Sequence, residues 1–190
     1  MFYISTKDEF GTISGFRLGR LPTTEVKWEE INAAIGQSVY LLCVLAHRFA
    51  YKIENFDIAL CGAHSRIWPK QNAKVKFDLF MPGKEEQFSQ GLVCLLAVLN
   101  DLQKFVGLNY AFERLHESLG GRQAAYDFAR LEKHKTVFKI AGDCINGVSI
   151  RYNSNDLPAW TRACKYYLTN LQHLVYMSVV RDIIEAHHQF

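Results

Sequence analysis

The strongest constraint on the fold is a threefold repetition of one pattern, a β-hairpin followed by a long helix. The three helices begin near Trp28, Phe88 and Trp160, so that an aromatic residue leads each of them. The units recur irregularly, at about 60 to 70 residues, which favours repeated supersecondary units over a solenoid. A hairpin is marginal alone, and an amphipathic helix needs a sheet to cover. We predict an α+β fold of three β-sheet–α-helix repeats, each an antiparallel hairpin packed by a helix.

The repeats predict one domain over 1–190. We place repeat 1 at about 1–50, repeat 2 at about 51–107, a connecting helix at about 111–133 and repeat 3 at about 134–190. The alternation of apolar and polar residues predicts strands at 2–6, 12–20, 51–60, 75–81, 136–140 and 148–152. A chain of 190 residues buries about two-thirds of its unfolded surface, which is enough for a single core.

The first helix has a glycine on its apolar stripe. The stripe has helical spacing and comprises Ile31, Ile35, Val39, Leu42 and Ala46, with Gly36 beside Ile35. Glycine inside a helix is about 1 kcal/mol less favourable than alanine. We therefore predict that another stretch of backbone approaches the helix closely at Gly36.

The cysteines and the N-terminus indicate a reducing compartment. The five cysteines form no close pairs; they are Cys43, Cys61, Cys94, Cys144 and Cys164. Their apolar settings predict inert core thiols with a raised pKa. The first residues lack the charged and apolar regions of a signal peptide. The longest apolar runs are about half of a membrane span.

No pattern in the sequence indicates a catalytic residue, a metal ligand set or a cofactor. The spacing Cys61-x-x-His64 lacks the second pair of a zinc site, and the adjacent histidines His187 and His188 are typical of a solvated tail. The net charge of +3 is too small to indicate nucleic-acid binding. We predict a non-enzymatic domain, with an enzyme that has an unrecognised cleft as a remaining alternative.

One basic segment that also contains aromatic residues is a candidate membrane site. Trp68 follows Ile67 in a predicted loop at 62–73, and between 66 and 84 basic residues exceed acidic ones by four. Basic residues favour anionic lipid, and Trp favours the lipid–water interface. The alternative is a Trp68 ring folded back on the hairpin. The candidate membrane-binding residues are Arg66, Ile67, Trp68, Lys70, Lys74, Lys76, Phe80 and Met81.

Two segments carry a family resemblance. Residues 10–22 read FGTISGFRLGRLP, and residues 26–42 read VKWEEINAAIGQSVYLL. Together they resemble the signature of the Beclin family of autophagy proteins. The run WTRACKYYLTNL at 160–171 and the turn CGAHS at 61–65 are also similar to family patterns.

The resemblance implies the family's C-terminal membrane-binding domain, known as the BARA domain, which is built of three β-sheet–α-helix repeats. It implies a non-catalytic scaffold of the class III phosphatidylinositol 3-kinase complex, acting in autophagosome formation and in endosomal and vacuolar sorting. The implied partners are the catalytic subunit, its regulatory kinase-like subunit and an anionic membrane surface, without nucleic acid. The implied location is cytoplasmic, peripheral on endosomal and autophagic membranes. The alternative is a pure protein–protein scaffold without direct membrane contact.

The sequence departs from the family pattern in two places. Family members have a longer N-terminal part, with a coiled coil for a coiled-coil partner, so we expect this chain to be a fragment or a shortened relative. Animal members also carry an aromatic triplet, Phe-Phe-Trp, before the second helix, and residues 81–88 lack it. Either Ile67 with Trp68 or Phe80 with Met81 is a candidate substitute.

The resemblance also suggests structural roles for the signature residues. We expect a mainly core role for Phe16, Leu18, Trp28, Ile31 and Ile35. For the two arginines of the same segment, Arg17 and Arg20, two readings stay open. Either they hold the first hairpin against its neighbours, or they are solvated strand residues.

Overall fold

Each long helix follows a small antiparallel sheet of three strands. The computed structural model describes residues 2–117 and 138–187. The first sheet and helix are β1 (Ile4–Lys7), β2 (Phe10–Ile13), β3 (Phe16–Leu18) and α1 (Trp28–Arg48). The second are β4 (Phe56–Ala59), β5 (Arg66–Pro69), β6 (Phe77–Asp78) and α2 (Glu85–Glu117). The third are β7 (Ile140–Ala141), β8 (Cys144–Ile145), β9 (Val148–Ser149) and α3 (Leu157–His187). The predicted α+β fold of three repeats is confirmed.

The predicted two-stranded hairpins are wrong, because each sheet has a third strand. Residues 12–20 were expected to form one strand, but Ser14 and Gly15 adopt φ of 50° and 86° and turn the chain between β2 and β3. In the second sheet β5 lies inside the expected loop at 62–73. In the third sheet β8 lies between the two expected strands and pairs with both of its neighbours. These strands are short and are joined by residues with a left-handed backbone conformation. Each strand therefore contains too little alternation of apolar and polar residues to be recognised from the sequence.

The helix boundaries also differ from the expected ones. The α2 helix continues without a break to Glu117, so the expected connecting helix at 111–133 begins as part of α2, and residues 118–133 lie outside the described residues. The α3 helix begins at Leu157, and Asp156 caps it by accepting a hydrogen bond from the Ala159 amide at 3.1 Å.

The aromatic residues that lead the three helices meet at the centre of the domain. Phe88 and Trp160 are 0% and 1% exposed, and the ring of Trp28 lies 5.9 Å from Phe88 and 6.1 Å from Trp160 between centroids. Tyr152, from the third repeat, packs 5.0 Å from Trp160 in an edge-on geometry. Since rings at these separations and tilts attract each other, one aromatic cluster joins all three repeats.

Each helix also hydrogen-bonds the backbone of the next repeat. The Asn32 side chain of α1 pairs with the amide and carbonyl of Met81 in repeat 2. Ser89 of α2 does the same at Tyr152 in repeat 3. Thr161 of α3 does so at Arg20 in repeat 1. The three repeats therefore form a closed ring, in which polar side chains satisfy backbone groups at each junction.

Arg17 and Arg20 both hold the first sheet against its neighbours. Arg17 forms a two-pronged pair with Glu30 of α1, with both N–O distances 2.8 Å, and its backbone amide donates to the same carboxylate at 2.9 Å. The hydrogen bonds from Arg17 lower the pKa of Glu30 below its usual value. The Arg20 guanidinium lies 5.0 Å from the Trp28 ring centroid. The holding role is confirmed for both arginines.

The Arg17–Glu30 pair predicts a pH-dependent contribution to stability. We expect Glu30→Gln to lower the free energy of unfolding at pH 7 by about 1–2 kcal/mol, because a hydrogen-bonded carboxylate is lost. The folded-state pKa of Glu30 is lowered, so its stabilisation is complete above the unfolded pKa of about 4.3 and disappears as the pH falls through the folded value. Urea denaturation of the wild type and of Glu30→Gln between pH 3 and 7 measures how their free energies of unfolding approach each other as the pH falls. Glu29→Gln, exposed in the same helical turn, is the matched control, and an equal loss there would contradict the prediction.

Candidate functional site

The outer face of the second sheet presents the basic and aromatic candidates. Strand pairing places Trp68 beside Asp57 of β4, and Arg66 between Ala59 of β4 and Asp78 of β6. Alternate residues of a strand point to opposite faces, so Ile67 points inward and is 0% exposed. The assignment of Ile67 to a membrane-binding surface is therefore wrong in this fold. We name the remaining surface the Trp68 face; it comprises Arg66, Trp68, Lys70, Lys74, Lys76 and Phe80.

Each aromatic ring of the Trp68 face is covered by a cation. The Lys76 ammonium lies 4.7 Å from the Trp68 ring centroid, and the Arg66 guanidinium lies 5.7 Å from the Phe80 centroid. His64 packs edge-on against Phe80 at 5.0 Å. Both rings are half-buried, so the Trp68 ring is neither fully exposed nor completely folded back on the hairpin. Contacts of this type contribute about 0.5–1 kcal/mol at exposed sites.

The cations of the Trp68 face differ in how firmly they are held. Arg66 binds Asp78 with an N–O distance of 2.7 Å. Lys70 donates to the Ile53 carbonyl at 2.6 Å and lies 3.8 Å from Asp57. Lys74 and Lys76 are exposed in the segment before β6. These last two lysines are the cations most available to an anionic ligand.

Met81 does not belong to the surface. Its side chain is 7% exposed, and its backbone amide donates to the Asn32 side chain at 2.9 Å. The Asn32 amide in turn donates to the Met81 carbonyl. The assignment of Met81 to membrane binding is wrong, because this residue forms the junction between α1 and the second repeat.

An uncharged groove beside α1 was not predicted from the sequence. It has a volume of about 450 Å³ and runs between α1 and the turn after β4. Its walls include Phe16, Tyr40 and Leu60, which are 38%, 52% and 46% exposed. The core role expected for Phe16 is therefore wrong, whereas Leu18, Ile31 and Ile35 are buried as expected. The sequence signal was slight: Tyr40 lies one position beyond Val39 of the apolar stripe, so its ring falls outside the buried face.

The cysteines differ in exposure: Cys94 and Cys164 are buried, and Cys43 and Cys144 are half-buried. Burial raises the pKa of the Cys43, Cys94 and Cys164 thiols. For Cys144 burial and the neighbouring Asp143 raise the pKa. Cys61 is exposed, so its expected apolar setting is wrong. Nothing in residues 2–117 and 138–187 groups three potential metal ligands, and no helix within those ranges has the length and apolar character of a membrane span.

Comparisons with known proteins decide the family. A profile of the Apg6 BARA domain matches residues 1–180. The chain belongs to the Apg6/Beclin family. This membership agrees with the resemblance seen at 10–22 and 26–42, and it implies an autophagy-related role.

The curated relatives of this Beclin-family domain come from distant eukaryotes. Beclin-1 of Xenopus tropicalis is 31% identical over 176 residues, covering 90% of this chain and 37% of the relative. A Beclin-1-like protein of Drosophila melanogaster is 34% identical over 176 residues, with 90% and 38% covered. One of Arabidopsis thaliana is 31% identical over 182 residues, with 94% and 32% covered. The chain thus spans about a third of the length of these relatives.

Proposed function

We propose that this Beclin-family domain is a non-catalytic regulatory and scaffold domain of the class III phosphatidylinositol 3-kinase complex. It acts in autophagosome formation and in endosomal and vacuolar sorting, as a cytoplasmic domain held peripherally on endosomal and autophagic membranes. Its partners are the catalytic subunit, the regulatory kinase-like subunit and, through the family's N-terminal part, a coiled-coil partner. Family membership over residues 1–180 supports this proposal. Lipid-kinase activity of the purified chain alone would overturn the non-catalytic assignment.

The Trp68 face is the proposed site of membrane contact. The observation that carries this proposal is the Trp68 ring, half-buried and stacked under the exposed Lys76. A Trp ring placed among cations suits the boundary between lipid headgroups and acyl chains. Each Lys near an anionic leaflet contributes about 1 kcal/mol to membrane association. The aromatic and basic residues therefore act together at an anionic surface.

Trp68 is expected to contribute to binding through its apolar ring. We expect Trp68→Ala to weaken co-sedimentation with vesicles of phosphatidylserine and phosphatidylcholine about tenfold, because part of a large ring is no longer transferred out of water. Trp68→Phe should retain most of the binding. Val179→Ala, a truncation at a residue 49% exposed on α3, is the control. Unchanged binding of Trp68→Ala excludes this residue from the membrane site, and no binding by the wild-type chain at low salt supports the pure scaffold alternative.

The exposed lysines are expected to make the binding depend on salt. The double variant Lys74→Gln with Lys76→Gln should bind anionic vesicles about 30-fold more weakly at low salt, since two contributions of about 1 kcal/mol are removed. The difference should shrink at high ionic strength because of screening. The control variant, Lys104→Gln with Lys139→Gln, removes the same charge from exposed positions elsewhere. An equal loss in both double variants would indicate a general charge effect and no specific face.

A further inference from the structure

The outer edge of β4 presents unpaired backbone groups. The Lys70 amide donates to the Asn55 carbonyl at 3.0 Å. This bond determines which backbone groups of β4 face β5 and which face away from it. Asp57 and Ala59 therefore bond to β5, whereas the amides and carbonyls of Phe56 and Ile58 point away from it. Within the described part of the chain, no hydrogen bond reaches these outward groups. An end strand with such groups is a template for another strand.

The first sheet, in contrast to β4, covers its end strands with side chains. At β1 the Gln172 amide donates to the Ile4 carbonyl at 3.2 Å. At β3 the Glu30 carboxylate accepts from the Arg17 amide at 2.9 Å. Both contacts satisfy outward backbone groups that would otherwise invite pairing. The edge of β4 has no equivalent cover among the described residues.

The open edge of β4 leads directly into the uncharged groove. Leu60 follows the last residue of β4 and forms one wall of the groove, opposite Phe16 and Tyr40. None of the lining residues carries a charge, and the 450 Å³ volume accommodates a large apolar side chain. An extended segment laid along β4 would therefore bring one of its side chains to the groove.

The charge on β4 favours a different partner over a second copy of this chain. The Asp57 side chain is 49% exposed on the outer face, and the Lys70 ammonium lies 3.8 Å from its carboxylate. In the antiparallel pairing of two β4 strands that places Phe56 of each copy opposite Ile58 of the other, the two Asp57 carboxylates would stand directly opposite, with Lys70 beside each of them. Like charges in that position are destabilising, whereas an opposite charge is favourable.

We propose that β4 accepts an extended segment of a partner protein as a fourth strand, with an apolar side chain in the groove and a basic side chain opposite Asp57. Backbone hydrogen bonds to Phe56 and Ile58 supply affinity, and the two side-chain positions supply specificity. The edge of β4 borders the Trp68 face, because Asp57 pairs with Trp68 across the two strands.

The probe for this interaction is a random library of displayed twelve-residue peptides, selected on the purified full chain. We expect the selected peptides to share one basic residue and one large apolar residue at a fixed spacing. A selected peptide, added at saturation, should slow hydrogen exchange of the Phe56 and Ile58 amides at least tenfold and leave the amides of β9 unchanged. Failure to select any peptide, or selected peptides that leave these two amides unaffected, would overturn the proposal.

Two substitutions test the side-chain positions separately. Leu60→Asp should weaken peptide binding at least tenfold, whereas Val75→Asp, at an apolar residue of similar exposure, should have no effect. Selection on Asp57→Lys should exchange the basic residue of the consensus for an acidic one. A loss of fold would not produce that exchange, and thermal unfolding checks that each variant remains folded. An unchanged consensus on Asp57→Lys would contradict the assigned register.

Discussion

Trp160→Ala is expected to lower the free energy of unfolding by about 3–5 kcal/mol, the range of a large aromatic residue removed from a core. Trp160 is 1% exposed, and its ring packs against Tyr152, Trp28 and Phe88 at centroid distances of 5.0, 6.1 and 6.3 Å. These rings come from all three repeats. Removing Trp160 therefore leaves a cavity at a point to which all three repeats contribute, and no single repeat can close it by local adjustment.

The substitution of Trp160 by Phe separates ring packing from hydrogen bonding. No described atom accepts a hydrogen bond from the Trp160 indole nitrogen, so Trp160→Phe sacrifices no such bond and should lose less than half as much stability as Trp160→Ala. Tyr3→Ala, at a ring 69% exposed, should change stability by less than about 0.5 kcal/mol. Urea denaturation followed by circular dichroism measures all three. Losses of similar size for Ala and Phe at 160 would contradict the prediction that packing of the ring is the main contribution.

The central cluster shows how far the sequence predicts this fold. Helical periodicity identifies the three helices, and an aromatic residue at the start of each is visible in the sequence. The meeting of Trp28, Phe88 and Trp160 at one point is a consequence of the ring-shaped arrangement of the repeats. That arrangement depends on contacts such as Thr161 with Arg20, which are 141 residues apart. Spacing along the chain carries no information about such a pair.

The second sheet shows why the candidate site was only partly predictable. Pro69 and Asn72 favour a loop, and this local signal concealed the short strand β5. Because Arg66–Pro69 is a strand, its side chains alternate between the two faces of the sheet, and Ile67 points away from the face of Arg66 and Trp68. A loop interpretation does not predict this separation. The groove beside Phe16 and Leu60 lies between two repeats, so no local pattern indicates it.

Gly36→Ala is expected to lower the free energy of unfolding by about 3 kcal/mol, the upper part of the range for overpacking. A Cβ atom at this position would lie 2.3 Å from the Gly62 carbonyl oxygen and 2.6 Å from its carbon. Both obstacles are backbone atoms, and the Ser65 hydroxyl holds that carbonyl through a hydrogen bond of 2.8 Å. The close backbone approach predicted from a glycine within an apolar stripe is thus confirmed.

The same substitution in α2 provides a control of opposite sign. At Gly107 an added Cβ would meet no atom of the described residues within 4 Å, so Gly107→Ala should stabilise the domain by up to about 1 kcal/mol through helix propensity alone. Gly91→Ala, whose Cβ would lie 2.8 Å from the Asp78 carbonyl oxygen, should fall between the two. Helix propensity favours alanine over glycine at all three positions. Only the distance from the added Cβ to neighbouring backbone atoms distinguishes the three positions. Equal effects at Gly36 and Gly107 in urea denaturation would therefore contradict the close contact between α1 and the turn at Gly62.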